Sequence, residues 1–434
     1  MTQPTKLFNK NYFLLWQGQF VSKFGDQFFS MALMLWLTYE VDAPALMGTL
    51  LMAGGMVSLL LGPFAGTLAD RASRKVIIVL TDFVNGVVVT SFAVLFFLRP
   101  DNTKILIIIL FCVTVVNAAL RAFFGPAISA SIPDLVPKPK LNAANSMGQF
   151  SSRMSQLIGA PVASSLYPVL GAPLMFLING LSFLFSSISE LFISIPKLRR
   201  KPDTTSATGV SSFKTDLKEG FHYVWNNSGL KAIVFVSAGL SFFSVPIITL
   251  ISFFIKDFLK AGEMWLGIIS SGYSIGAMIG FSLAATIKLE KAKRARILMA
   301  LIVLQGVLFA LLAMQRIPIH ALIFVLLLGI GDGFINVNIM TIIQLTTPSE
   351  IRGRVFGVLA MLSGSLAPLS MGVSGFAARF LNHNVPLIYM ICGSAMLLLS
   401  VIAICFRDYR EFLVYDDAQE EDVELAAKRT FYDR

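Results

Sequence analysis

Long apolar runs recur along the whole chain, each broken by a short loop carrying charge, proline or glycine; residues 76–98, 105–116 and 387–406 are examples. Within lipid, only helices and closed barrels satisfy their own backbone polar groups. A spanning helix needs about 20 apolar residues to cross ~30 Å of hydrocarbon, whereas a spanning strand needs about 9–11. The runs are therefore helices. Composition agrees, since 56% of the 434 residues are hydrophobic and 14% are charged. A soluble domain carries about 25% charged residues. Mean hydropathy is +0.74. The reading is an all-α membrane protein.

Apolar windows set against loop signals predict twelve transmembrane helices, at 12–38, 45–69, 76–98, 104–132, 142–168, 172–195, 229–258, 263–287, 296–314, 318–347, 353–380 and 385–407. The longest polar stretch, 196–228, divides them into two six-helix halves, 1–195 and 229–407. Within that cytoplasmic central loop, Phe213, Leu217, Phe221 and Val224 follow helical spacing, which suits an amphipathic helix at the membrane surface. Residues 408–434 carry nine acidic side chains and read as a solvated cytoplasmic tail.

Lys and Arg are distributed unevenly between alternate loops. One side collects Arg71, Arg74, Lys75, Arg199, Arg200, Lys201, Lys291, Lys293 and Arg294, while the other has Arg99, Lys104, Lys256, Lys260, Arg316 and Arg379. Positive loops stay inside. Both termini are expected in the cytoplasm, in a multi-pass protein of the plasma (inner) membrane. No cleavable signal peptide is expected, because the first apolar run is too long and small-residue processing is absent.

The net charge of +10 would point to nucleic acid in a soluble chain, but here it belongs to topology loops, so no nucleic-acid partner is expected. Cys112, Cys392 and Cys405 fall within apolar spans, which argues against a disulfide framework or thiolate metal site. His222, His320 and His383 are scattered in sequence, and no metal or other cofactor is expected. The absence of a Gly-x4-Gly-Lys-Ser/Thr loop argues against direct use of ATP.

Several motifs carry a resemblance. Between spans 2 and 3 stands Gly66-Thr-Leu-Ala-Asp70-Arg71-Ala-Ser73-Arg74-Lys75, a Gly four residues before an Asp-Arg pair with a basic pair after it. The two halves also echo each other weakly: IPDLVPKPKLNAANSM leads to GAPVASSLYPVLG, and TTPSEIRGRVFGVLAM leads to SLAPLSMGVSGFA. Arg121-Ala-Phe-Phe-Gly125 has the Arg-x-x-x-Gly form, and Gly159-Ala-Pro161 opens a second small-residue motif. Together with LLWQGQFVSKFGDQFF, DLKEGFHYVW and EIRGRVFG, these features resemble the major facilitator superfamily. Within it they are similar to the drug/proton antiporter branch that contains macrolide efflux pumps, the enterobactin exporter and lysophospholipid transporters. The resemblance implies the major facilitator fold, with a central cavity between its halves. It also implies a cytoplasmic gate built from Gly66, Asp70, Arg71, Arg74 and Lys75. Asp82, near the cytoplasmic end of span 3, is expected to assist that gate.

A charge at bilayer depth costs about 2.5–3.5 kcal/mol on insertion scales, so each embedded one is a functional candidate. Six qualify, namely Lys23, Asp26, Asp82, Arg121, Arg153 and Asp332. Gln19, Lys23, Asp26, Gln27 and Ser30 form one polar stripe on span 1, Gln149, Arg153 and Gln156 one on span 5, and Asn117 with Arg121 one on span 4. These faces must look at one another or at water. They predict a chamber in the first half, for proton coupling and substrate, lined by Lys23, Asp26, Gln27, Asn117, Arg121 and Arg153. In span 10, Asp332 and Asn336 share a face with Gly329 and Gly333, and Asp332 is the candidate proton carrier. Glu190 reads as an interfacial charge.

The resulting expectation is a monomeric secondary transporter, not an enzyme, that exports small amphipathic organic molecules or drugs in exchange for protons by alternating access. Its other partners are membrane lipids. A lysophospholipid or lipid flippase and a siderophore exporter are the alternatives within transport. A non-transporting membrane sensor or scaffold is the alternative outside it.

Overall fold

The computed structural model describes residues 7–71, 73–194, 209–287, 290–348 and 351–414; the side chains of 63, 66–71, 138, 142, 209–217, 360 and 363 lie outside that description. Among the described residues, every regular element is helical. The first part of the chain forms α1 (Lys10–Leu35), α2 (Pro44–Arg71), α3 (Arg74–Leu98), α4 (Thr103–Leu135), α5 (Leu141–Met154) and α6 (Ala160–Leu191). There follow α7 (Gly209–Asn226), α8 (Ser228–Phe253), α9 (Met264–Thr286), α10 (Lys291–Leu312), α11 (Pro318–Thr346), α12 (Arg352–Phe380), α13 (Val385–Cys405) and α14 (Arg407–Leu413).

Ten helical segments among the described residues are long and apolar enough to cross a membrane. One of them, Ala143–Leu191, runs for 49 residues. It holds two spans, because Gly171 adopts φ 67° between Pro168 and Pro173 and turns the chain there. α1 stands apart from the ten because its polar stripe lowers its hydropathy. Counting both, the helices agree with the twelve spans read from the sequence. Many of their large apolar side chains, such as Leu98, Ile108, Val169 and Phe380, are exposed, as lipid-facing positions require.

The helix ends follow sequence signals. Asn9, Asn102 and Asn384 each accept a hydrogen bond from a backbone N–H in the first turn, at Tyr12, Ile105 and Leu387. Such caps are worth about 1 kcal/mol each. Pro318 opens α11, where its missing N–H costs nothing. A five-residue π-turn extends α1 at Trp36–Glu40 and α8 at Phe254–Phe258, and another joins α5 to α6 at Ser155–Gly159. No sequence signal marks them. The last shifts the helical register, so Gln156 does not continue the α5 stripe of Gln149 and Arg153 in regular phase.

The contacts divide the chain into two compact units. The first comprises Met1–Asp203 with Thr249–Ser271 and Met371–His383; the second comprises Thr204–Ile248, Gly272–Ser370 and Asn384–Arg434. This division departs from the sequence halves, because the ends of α8, α9 and α12 join the first unit. In that unit α6 packs against both α1 and α3. Small residues allow the approach: a Cβ on Gly18 would lie 2.9 Å from Ser186 Oγ, and one on Gly86 would lie 2.7 Å from Leu184. In the second unit, Gly276, Gly280, Gly329 and Gly333 bring the α9 and α11 backbones together.

The central-loop helix is longer than its sequence pattern indicates and differs in its buried face. Val224 is buried in the apolar cluster of the second unit, whereas Phe221 and Trp225 are exposed and stacked on each other. Gly220 lies against the Arg354 carbonyl, and Glu219 pairs with Arg354. The helix therefore docks on α12 through a small residue and a charge. Phe213 and Leu217 lie outside the described side chains.

Candidate functional site

Of the polar stripe of α1, Lys23 and Asp26 reach α5 and α4, while Gln19 reaches Glu190 of α6. Asp26 pairs with Arg121 of α4, and Arg121 Nε also donates to Asn117 Oδ1, one turn earlier, at 2.6 Å. The Asp26 side chain is 14% exposed and that of Arg121 48%. A guanidinium half open at membrane depth requires water rather than hydrocarbon beside it. The Lys23 ammonium donates to Ser152 Oγ at 2.9 Å and to the Gly148 carbonyl at 3.4 Å, both on α5. Gln27 lays its stem on Gly159, where a Cβ would come within 2.8 Å of Gln27 Cγ. Arg153 faces Gln156 at 3.5 Å. The structure thus gathers Lys23, Asp26, Gln27, Asn117 and Arg121 around the α1–α4–α5 junction, with Arg153 on the same helix one residue beyond the Lys23 contact.

The gate residues are only partly visible. The side chains of Gly66, Asp70 and Arg71 lie outside the description, though their backbone forms the end of α2. Arg74 opens α3 and donates to the Ala130 carbonyl and to Asp134 Oδ2, each at 2.7 Å, tying the start of α3 to the end of α4. Lys75 beside it is half-buried. Asp134 was not among the sequence candidates; its place in IPDLVPKPK, across the loop from the basic pair, is the signal that could have found it.

Asp82 is buried on the α6-facing side of α3. Glu190, which reads as an interfacial charge in sequence, is fully buried. Glu190 Oε1 accepts from Gln19 Nε2 at 2.9 Å. A glutamate near the end of an apolar span reads as surface-bound; only the packing of α1 and α3 over it reveals otherwise.

In the second unit, Asp332 accepts a hydrogen bond from Tyr273 of α9 at 3.0 Å and is half-buried, while Asn336 is exposed. The close α9–α11 seam at Gly329 and Gly333 places that phenol there. Tyr273 was missed because nothing in sequence links it to position 332.

At the opposite end from the basic loops, the first unit carries a second polar group. Thr38 Oγ1 donates to Ser252 Oγ at 2.7 Å, Lys256 Nζ donates to the Thr38 carbonyl and to Asp42 Oδ1, and Tyr167 donates to Glu40 at 2.7 Å. Asp42, Asp257 and His383 bring their ligand-type atoms within 4.8 Å of one another. His383 is thus far from other histidines in sequence, yet it meets two carboxylates in space.

Comparison with known proteins adds the family context. The family model described as Major Facilitator Superfamily matches residues 15–371 and 266–429. Over 406 residues the chain is 23% identical to Macrolide efflux protein A of Streptococcus pyogenes, covering 92% of this chain and 96% of that protein. Over 398 residues it is 24% identical to Multidrug efflux pump Tap of Mycolicibacterium fortuitum, covering 87% and 91%. The solved nucleoside transporter NupG aligns with a TM-score of 0.65 at 18% identity, over 93% of this chain and 99% of that one. At that identity the structural likeness speaks for the fold alone.

Proposed function

The chain belongs to the Major Facilitator Superfamily, and from that premise we propose that it exports amphipathic organic molecules, drugs among them, in exchange for protons. It is a multi-pass membrane transporter and not an enzyme. Export is favoured by the efflux relatives that match it over most of their length. The observation that carries the reading is the Asp26–Arg121 pair with Asn117, half open to water at membrane depth. Such a pair offers a substrate ammonium a carboxylate, and offers a proton the same carboxylate once Arg121 turns away.

We assign coupling in the second half to Asp332, whose half-buried carboxyl is held by the Tyr273 hydroxyl. Alternating access would then exchange residues 1–195 and 229–407 about the site, as a monomer with both termini in the cytoplasm. Arg74 with Asp134 ties two helix ends at the Lys/Arg-rich side and belongs to the gate in this reading, with Gly66, Asp70, Arg71 and Lys75 beside it.

Purified protein in liposomes with a lumenal pH dye provides the test. Addition of a macrolide or another amphipathic cation should drive proton movement in the wild type. Asp332→Asn, which imitates the protonated form, should abolish uphill transport and keep downhill exchange. An Asp332→Asn protein that still concentrates substrate with normal pH dependence removes the coupling role from that residue. A wild type that moves no protons with any substrate it transports removes proton exchange altogether.

A further inference from the structure

The α1–α3–α6 interface holds two carboxyl groups that the site above does not use. Glu190 and Asp82 are 0% and 2% exposed, and neither forms an ion pair among the described residues. Fully buried Ser186, one turn before Glu190, lies beside both carboxyl groups without meeting either in good hydrogen-bond geometry. Asp82 Oδ2, Glu190 Oε2, Ser186 Oγ and Asn85 Oδ1 are all sealed from solvent, and none has a hydrogen-bond partner in good geometry. Gln19 satisfies one Glu190 oxygen from α1.

The charges that reach this group from neighbouring helices are Asp26 of α1 and Arg121 of α4, and those two already pair with each other. Lys23 of α1 is engaged by α5. The interface therefore has two carboxyls and no cation of its own. Two adjacent carboxylates in a low-dielectric site cannot both ionise, and a buried uncompensated charge costs several kcal/mol. Compensation has to be small. Gly18 and Gly86 draw the helices so close that a methyl group there would collide with Ser186 or Leu184.

We propose that Asp82 and Glu190 form a buried proton-binding site, in which one proton is shared between the two carboxyl groups and Ser186 orients toward both. The site lies apart from Asp26–Arg121. Losing its proton would leave two negative charges in the seam, so deprotonation requires α3 and α6 to loosen and admit water. Its part in the transport cycle rests on the proton-exchange reading above; its occupancy does not.

Infrared spectroscopy of the detergent-purified chain reads occupancy directly. Ordinary carboxyls, with pKa values near 4, are ionised at neutral pH. The wild type should nonetheless show a protonated carboxylic-acid C=O stretch at neutral pH that shifts in heavy water and is absent from Asp82→Asn/Glu190→Gln. Each isosteric single variant should lose the band or move it, which keeps the test open if the double variant folds poorly. Because the folded state holds a proton that the unfolded chain releases, melting temperature in the wild type should fall as pH rises from about 4 until the folded site gives up its proton. That slope should flatten in the double variant. A band unchanged in both single variants overturns the site, as does sodium-dependent stabilisation without a band, which would make it a metal-cation site. Neither readout involves transport, so a proton site can stand or fall independently of proton-coupled export.

Discussion

Asp26 and Arg121 were findable because helical periodicity and the cost of a membrane charge act together. A carboxylate and a guanidinium on polar faces of two spans can escape lipid only by meeting each other or water, and they meet. The pairing is testable by a double-mutant cycle on thermal stability in detergent. Asp26→Asn and Arg121→Gln should each destabilise, while the double variant should cost less than their sum, by about 0.5–3 kcal/mol. Additive losses would mean that the two side chains act separately. Glu190 was not legible in the same way. Its neighbours Ser189 and Leu191 give no periodic signal; its burial comes from Gln19 and the small residues of helices distant in sequence. Asp134 and Tyr273 share that character, as partners supplied by tertiary packing to residues that sequence had already singled out.

At the scale of elements, span positions were readable, and the break left between 168 and 172 falls at the Gly171 turn. The three π-turns were not, since no residue type demands one. Glycines divide into those that permit an interface and those that face open space, and sequence does not separate them. Gly86 faces Leu184 at a distance a methyl group cannot share, whereas nothing lies within 4 Å of a Cβ at Gly125. Gly86→Ala should therefore lower stability by about 1–3 kcal/mol through overpacking. Gly125→Ala should hold or raise it, since alanine favours helix by up to about 1 kcal/mol. Thermal unfolding of the two variants in the same detergent decides the matter, and equal losses would contradict the α3–α6 approach described.

For the whole molecule, the family and all-helical architecture were accessible from run lengths and the Gly66-x3-Asp70-Arg71 loop, while the contact division was not. The ends of α8, α9 and α12 belong with the first unit through bonds such as Lys256–Asp42, which join residues far apart in sequence. Topology rests on the charge asymmetry and can be tested by labelling. In a background lacking Cys112, Cys392 and Cys405, cysteines placed at Asp42 and Asn382 should react with an impermeant reagent in intact cells. One at Ser206 should react only after permeabilisation, and the reverse pattern would invert the orientation. The polar stripe of α1 also bears on biogenesis. With Lys23 and Asp26 at about 2.5–3.5 kcal/mol each on insertion scales, α1 is a poor candidate to enter lipid alone. The groups that partner these charges, Arg121 on α4 and Ser152 on α5, are synthesised several spans later. Translation order and insertion order therefore part company: α1 has to be sheltered by the insertion machinery until its partners emerge, and truncations ending before α4 should leave it outside the bilayer core.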